Sequence, residues 1–154
     1  MLLQMNGNKE FDVPSLTLKE SSGLELTHDD FHDLLDEALY ESDDFRMYGY
    51  KVTRCPRRYR HNWMSCPFMH FGEKARRRDP RLYNYVGILC PDHKDGMCLR
   101  GDSCVFAHGA FEHWLHPDKY RTRMCNARAF CSRRVCFFAH SVQELRQETC
   151  YPWY

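Results

Sequence analysis

Hydrophobic and polar positions change their rhythm twice along this chain. Residues 1–26 hold no sustained period, because Asn6-Gly7-Asn8, Pro14 and Ser21-Ser22-Gly23 interrupt every run. At Thr27 a helical period begins. Phe31, Leu34, Leu35, Ala38 and Leu39 recur three and four apart behind an acidic first turn, His28-Asp29-Asp30, which predicts a short amphipathic helix over 28–41. Such a helix either packs on its own chain or serves a protein partner as a docking or acidic activation segment. From Asp44 onward that period disappears. Residues 46–54 read as a short strand or extended lead-in with exposed bases, and beyond them Gly and Pro divide short aromatic stretches. That pattern does not predict one ordinary domain with a continuous core.

The cysteines supply what the apolar pattern lacks. Cys90-x7-Cys98-x5-Cys104-x3-His108 is followed, sixteen residues on, by Cys125-x5-Cys131-x4-Cys136-x3-His140. Both sets end alike, Cys-Val-Phe-Ala-His and Cys-Phe-Phe-Ala-His. Thiolate and imidazole suit Zn²⁺, and a closed shell of four protein ligands is structural rather than catalytic. Upstream, Cys55-x5-His61-x4-Cys66-x3-His70 repeats the spacing of the last set, with His61 at the place of Cys131 and Phe68 at the place of Phe106 and Phe138. It reads as a third zinc unit, the alternative being a basic loop with incidental ligands. Eight of nine cysteines are thereby used, and Cys150 is left as a free thiol. An odd count suits a disulfide framework poorly. Residues 1–20 show no secretory pattern and no stretch is long enough to span a bilayer, so a reducing interior and no membrane partner are expected.

The expected fold class is therefore small, metal-stabilised and mostly irregular: tandem CCCH zinc fingers, a preceding CHCH unit and a short N-terminal helix. The divisions are an acidic leader with its helix (1–44), an arginine-rich CHCH region (45–82), one CCCH finger (83–109), a linker (110–124), a second CCCH finger (125–141) and a tail (142–154). Each structural zinc contributes on the order of 10 kcal/mol to folding such short peptides.

Charge changes the picture again. The net +1 divides into two Lys against twelve acids in residues 1–44 and twenty Lys or Arg against nine acids in 45–154. A basic, aromatic-rich body points to a polyanion. Phe106 and Phe138 are the leading candidates for stacking on bases, with Phe137 and Tyr120 beside them, though each aromatic also suits a small core around the metal. Arg100, Arg121, Arg123, Arg133 and Arg134 are candidates for phosphate or base contacts. Arg76, Arg77 and Arg78 form a run that suits phosphate contact or nuclear import, or else a solvated linker. The loops between ligands are too short for the helix that zinc readers of duplex DNA place in the major groove, which favours single-stranded RNA. The linker Gly109 to Met124, with Phe111, Trp114, Leu115 and Tyr120, is expected to fold back and partly fix the two fingers. Nothing supplies an acid–base pair beside an open metal position, so no enzyme is expected. A duplex-binding transcription regulator and a protein-interaction zinc module are the other readings.

The order of these parts resembles the plant arginine-rich tandem CCCH zinc finger proteins, related to the tristetraprolin type. The likeness is carried by Phe45-Arg46-Met47-Tyr48, Gly72 to Pro80, Tyr120-Arg121-Thr122-Arg123 and Arg133 to His140. It implies Zn²⁺ at the two CCCH sites and regulation of mRNA: binding of AU-rich or similar single strands, promotion of decay, and movement between nucleus and cytoplasmic RNA granules. For some relatives it implies DNA binding instead. Arg100 and Arg133 stand where the tristetraprolin type carries an aromatic.

Overall fold

The computed structural model describes residues 27–93 and 95–153, so the leader read over 1–26 lies outside the described residues. Helix α1 runs His28–Glu41. Thr27 starts it with a reciprocal cap: its hydroxyl accepts the Asp30 N–H at 3.2 Å and the Asp30 carboxylate accepts the Thr27 N–H at 3.0 Å. Ser42 ends α1 and begins α2 (Asp43–Tyr48), accepting the Phe45 N–H at 3.2 Å ahead of Asp43 and Asp44 in the first turn. Residues 46–48 are thus helical, not the strand or extended lead-in expected. A cap and two first-turn acids outweigh the strand preference of a single Tyr there. Arg46 is buried rather than exposed, donating to the Tyr40 carbonyl, to the Tyr120 hydroxyl at 3.0 Å and to the Arg134 carbonyl at 3.2 Å.

Beyond α2 the chain is irregular, and its repeats are made by hydrogen bonds rather than by strands. Three isolated parallel bridges occur among the described residues: Arg54 with Met69, Leu89 with Ala107, and Met124 with Ala139. Each joins the residue before a first Cys to the residue before a last His. The three zinc units are numbered here along the chain: unit 1 from Cys55 to His70, unit 2 from Cys90 to His108, unit 3 from Cys125 to His140. In each, the first Cys N–H donates to the carbonyl before the His: Cys55 to Met69 at 3.0 Å, Cys90 to Ala107 at 2.9 Å, Cys125 to Ala139 at 2.7 Å. The return bond repeats as well, from Met69 to Thr53 at 2.8 Å, Ala107 to Ile88 at 2.8 Å and Ala139 to Arg123 at 2.8 Å. Unit 1 therefore shares its backbone closure with the two CCCH units despite its different ligands.

The apolar residues do form a common core, contrary to the reading of the pattern alone. Tyr40, Phe45, Met47, Tyr50, Leu115 and Tyr120 make its centre. Phe68 enters from unit 1, Phe111 from the short helix α3 (Ala110–Trp114), and Val135 and Phe137 from unit 3. Units 1 and 3 thus share one core, to which the linker contributes two fully buried residues, Leu115 and Tyr120. No described residue of unit 2 is in that cluster. It joins through Arg78, whose carbonyl accepts the Tyr85 hydroxyl at 3.0 Å, and through the Tyr85 carbonyl, which accepts from His116 Nε2 at 2.9 Å.

Tyr120 places a polar atom inside this core. Its hydroxyl donates to Asp43 at 2.8 Å and accepts from Arg46 at 3.0 Å. Tyr120→Phe keeps the ring but removes one acceptor from the buried Arg46, while half-exposed Asp43 keeps Arg121, so it should cost about 1 kcal/mol. The expected reading is a lower unfolding midpoint with the zinc count unchanged by native mass spectrometry.

Candidate metal centres and nucleic-acid surface

The structure brings together each foursome that the spacing singled out. Cys55, His61, Cys66 and His70 form one cluster, Cys90, Cys98, Cys104 and His108 the second, and Cys125, Cys131, Cys136 and His140 the third, with ligand atoms within 4.8 Å of one another in each. Sulfur–sulfur separations are 3.8 Å for Cys55–Cys66, 3.9 Å for Cys90–Cys98 and 3.8 Å for Cys104–Cys90. A tetrahedron with zinc–sulfur bonds of about 2.3 Å has edges of about 3.8 Å, whereas a disulfide needs about 2.05 Å. His108 Nε2 and His140 Nε2 are buried without a hydrogen-bond partner, as an imidazole nitrogen reserved for a metal should be. These donor sets fit zinc in all three units.

The surroundings prepare the ligands unequally. Hydrogen bonding from Arg100 holds the Cys98 thiol down to about 7, while burial pushes Cys66 up to about 11 and raises Cys104 and Cys136. Zinc must displace the protons of the buried thiols, so binding is coupled to proton release. Stacked rings brace two of the histidines: Trp63 on His70 at 4.8 Å and 5°, and His93 on His108 at 4.4 Å and 7°.

A second repeated device escaped the ligand pattern. A glutamate behind each last His accepts that residue's N–H: Glu73 for His70 at 3.1 Å, Glu112 for His108 at 2.8 Å, Glu144 for His140 at 2.7 Å. Glu73 also lies 3.0 Å from His70 Nδ1, fixing the ring so that Nε2 faces the cluster. Each glutamate meets a cation: Lys51 at 2.7 Å, Arg78 at 2.8 Å and Arg121 at 3.5 Å. Lys51 and Arg121 each stand four residues before a first Cys, in the left-handed region with φ of 56° and 53°. That conformation costs an L-residue about 1–2 kcal/mol, and backbone bonds on both sides hold it. Lys51 N–H donates to Pro67 and its carbonyl accepts from Arg77; Arg121 N–H donates to Phe137 and its carbonyl accepts from Arg146. Unit 2 has Val86 at this place, so Arg78 reaches in from the arginine run to supply the charge. The signal was present as a base four residues ahead of Cys in units 1 and 3 and a Glu three or four residues beyond His, but a polar pair has no period to betray it.

Several nucleic-acid candidates are corrected by burial. Tyr120 is fully enclosed and offers no face to a base. Arg77 donates to the carbonyls of Tyr50, Arg46 and Met47, each at 2.7 Å, and so closes the C-terminal end of α2. Arg78 donates to Glu112 and to the carbonyls of Asp102, Cys104 and Phe106. Buried at 3% and 5% exposure, neither can serve phosphate or an import receptor as the run suggested. Phe137 packs on the core. Phe106 is half-buried with Trp153 of the tail at 6.4 Å, and Phe138 lies 4.9 Å from Trp114. Arg100 pairs with Asp92 at 2.7 Å, Arg134 with Glu37 of α1 at 3.0 Å, and Arg121 with Asp43 at 3.4 Å. Arg76, Arg123 and Arg133 are exposed, Arg76 lying 3.9 Å from Asp102 and Arg123 over the Trp114 ring at 5.5 Å.

Three four-ligand knots, each closed by one parallel bridge, define a tandem CCCH-type zinc finger protein with a CHCH first unit. Residues 44–77 match the family model described as AtC3H23-like, CCCH zinc finger, which is the stretch containing unit 1. The chain is 60% identical over 113 residues to zinc finger CCCH domain-containing protein 54 of Arabidopsis thaliana, covering 73% of this chain and 46% of that protein. It is 58% identical over 109 residues to protein 24 of the same designation in Oryza sativa subsp. japonica, covering 71% and 14%. Against protein 23 of Arabidopsis thaliana it is 50% identical over 131 residues, covering 82% and 42%. Its family is the plant CCCH zinc finger proteins, and it spans less than half the length of these relatives. No helix among the described residues is long and apolar enough to cross a membrane.

Proposed function

We propose that this chain binds single-stranded RNA as a zinc-held regulator of mRNA, reading AU-rich or related elements and promoting transcript turnover in nucleus and cytoplasm. The observation that carries the reading is the absence, among the described residues, of any α-helix within the three units. They contain only three-residue 3₁₀ turns, such as Trp63–Ser65, Gly101–Ser103 and Arg128–Phe130. A duplex major groove about 12 Å wide is read by an inserted helix or a two-stranded ribbon. Irregular knuckles carrying Arg and aromatic rings suit splayed single strands. Charge narrows the surface. Unit 3 and its flanks, residues 121–144, hold five Arg against one acid, whereas residues 86–108 around unit 2 hold two Lys or Arg against three acids. Four protein ligands at each cluster leave no metal position open for hydrolysis, which supports a binding rather than a catalytic role.

The test compares a 20-nucleotide AU-rich RNA, the matching DNA strand and its duplex at physiological salt. Tightest binding to the RNA is expected, with affinity falling as salt rises. Tightest binding to the duplex overturns the reading in favour of a DNA-binding regulator. Tethered to a reporter transcript, the chain should shorten its half-life.

A further inference from the structure

Unit 1 carries two exposed aromatic rings at its metal cluster, and one of them is held in place by a ligand histidine. Phe71, directly after the ligand His70, is 96% exposed, and Trp63 is 46% exposed. The indole lies flat on the His70 ring, and Glu73 holds that ring from its other nitrogen at 3.0 Å. Trp63 is therefore a plane braced on one face by a metal-anchored imidazole. Stacking on its other face requires no ordering of a flexible side chain.

Around this plane cations outnumber acids, although Asp36 of α1 pairs with Arg57. Residues 51–74 hold six Lys or Arg and a single acid, Glu73, which Lys51 neutralises at 2.7 Å. Arg54, Arg58 and Arg60 are exposed and form no ion pair among the described residues. Unit 3 has one comparably exposed ring, Phe130 at 94%, but without a stacked partner among the described residues such as His70 gives Trp63. Phe106 and Phe138 are half-buried beside Trp153 and Trp114, and Phe68 of unit 1 itself turns inward onto Phe45 at 6.1 Å. Exposed apolar rings among uncompensated cations are unfavourable in water and mark a contact surface. Rings that stack and cations that follow a backbone are the two parts of a single-strand site.

We propose that Trp63 and Phe71 form a base-stacking platform for single-stranded nucleic acid, with Arg54, Arg58 and Arg60 taking the flanking phosphates. The proposal rests on the RNA reading above and extends it to the unit whose ligand set departs from CCCH.

The test measures binding of the 20-nucleotide AU-rich RNA to the full chain carrying Trp63→Ala, Phe71→Ser or Trp63→Tyr, with zinc counted in each. Phe71→Ser removes only exposed surface, so it stays informative if Trp63→Ala disturbs His70. Each loss of a ring should weaken binding about tenfold, the low-to-middle range for one stacked base. Trp63→Tyr should restore most of it. Unchanged binding in both ring-loss variants overturns the platform while leaving the RNA reading intact. If the unsubstituted chain binds no single strand, the RNA reading itself falls, and the platform with it.

Discussion

Replacing Cys136 with Ser is expected to release one zinc and to loosen unit 1 as well, whereas Cys104→Ser is expected to stay confined to unit 2. Serine matches the size of cysteine but offers no thiolate, so either variant forfeits the binding free energy of its site, on the order of 10 kcal/mol. What differs is the connection. Cys136 sits between Val135 and Phe137, and both pack on the core that Phe68 of unit 1 and Phe45 of α2 also enter. Freeing those two half-buried side chains exposes apolar surface worth about 1 kcal/mol each, a fraction of the full-burial value. Cys104 is flanked by Ser103 and Val105, both exposed and outside that core. Native mass spectrometry should count two zinc ions instead of three in either variant. Hydrogen exchange separates them. The amides of Lys51 and Met69, which donate within unit 1 at 2.9 Å and 2.8 Å, should lose protection in Cys136→Ser and keep it in Cys104→Ser. Equal protection of both amides in the two variants means that the units are independent beads and that the shared core contributes nothing.

This asymmetry between units was not legible in the sequence, and the reason is physical. Ligand sets can be read because a tetrahedral site closes over a short loop and repeats its spacing. Helix α1 can be read because its apolar side must recur with the helical turn. The core obeys neither constraint. Tyr40 closes one helix, Phe45 opens another, Leu115 follows α3, and Phe137 is a knuckle residue between two ligand positions. No window of sequence shows them on one face, because zinc rather than periodic structure orients the backbone that presents them. The arginine run misled for a related reason. Consecutive Arg reads as solvated charge, yet Arg76 is exposed while Arg77 and Arg78 turn inward, one to the end of α2 and the other to Glu112. Free helix-end carbonyls and a buried carboxylate create that demand, and both are invisible before the fold is known. The same blindness hid Lys51 and Arg121, whose left-handed backbone is dictated by the knuckles they close.

Arg78→Ala is expected to cost about 3–5 kcal/mol, the range for breaking a buried pair and leaving its partner uncompensated. Both side chains are 4% exposed. Burial alone would raise the Glu112 carboxyl, but hydrogen bonds from the Arg78 side chain and from the backbone N–H groups of Arg78 and His108 overturn this and hold it below the usual range. Without Arg78 that carboxylate keeps its burial and loses its counter-charge, while the carbonyls of Asp102, Cys104 and Phe106 lose their donor. Lysine should not rescue it, because a single ammonium cannot reach a carboxylate and three carbonyls together. Adding Glu112→Gln to Arg78→Ala should recover part of the loss by removing the stranded charge, a coupling that a double-mutant cycle reads directly. Because the Glu112 carboxylate also accepts the His108 N–H at 2.8 Å, the damage should appear first as faster zinc release from unit 2 under a chelator, with units 1 and 3 slower to respond. Arg76→Ala is the control: it belongs to the same run, lies 53% exposed, and pairs only loosely with Asp102 at 3.9 Å, so its release rate should match the unsubstituted protein. If Arg78→Ala releases zinc no faster than Arg76→Ala, the run is a solvated linker after all, and Arg78 does not hold unit 2 in place.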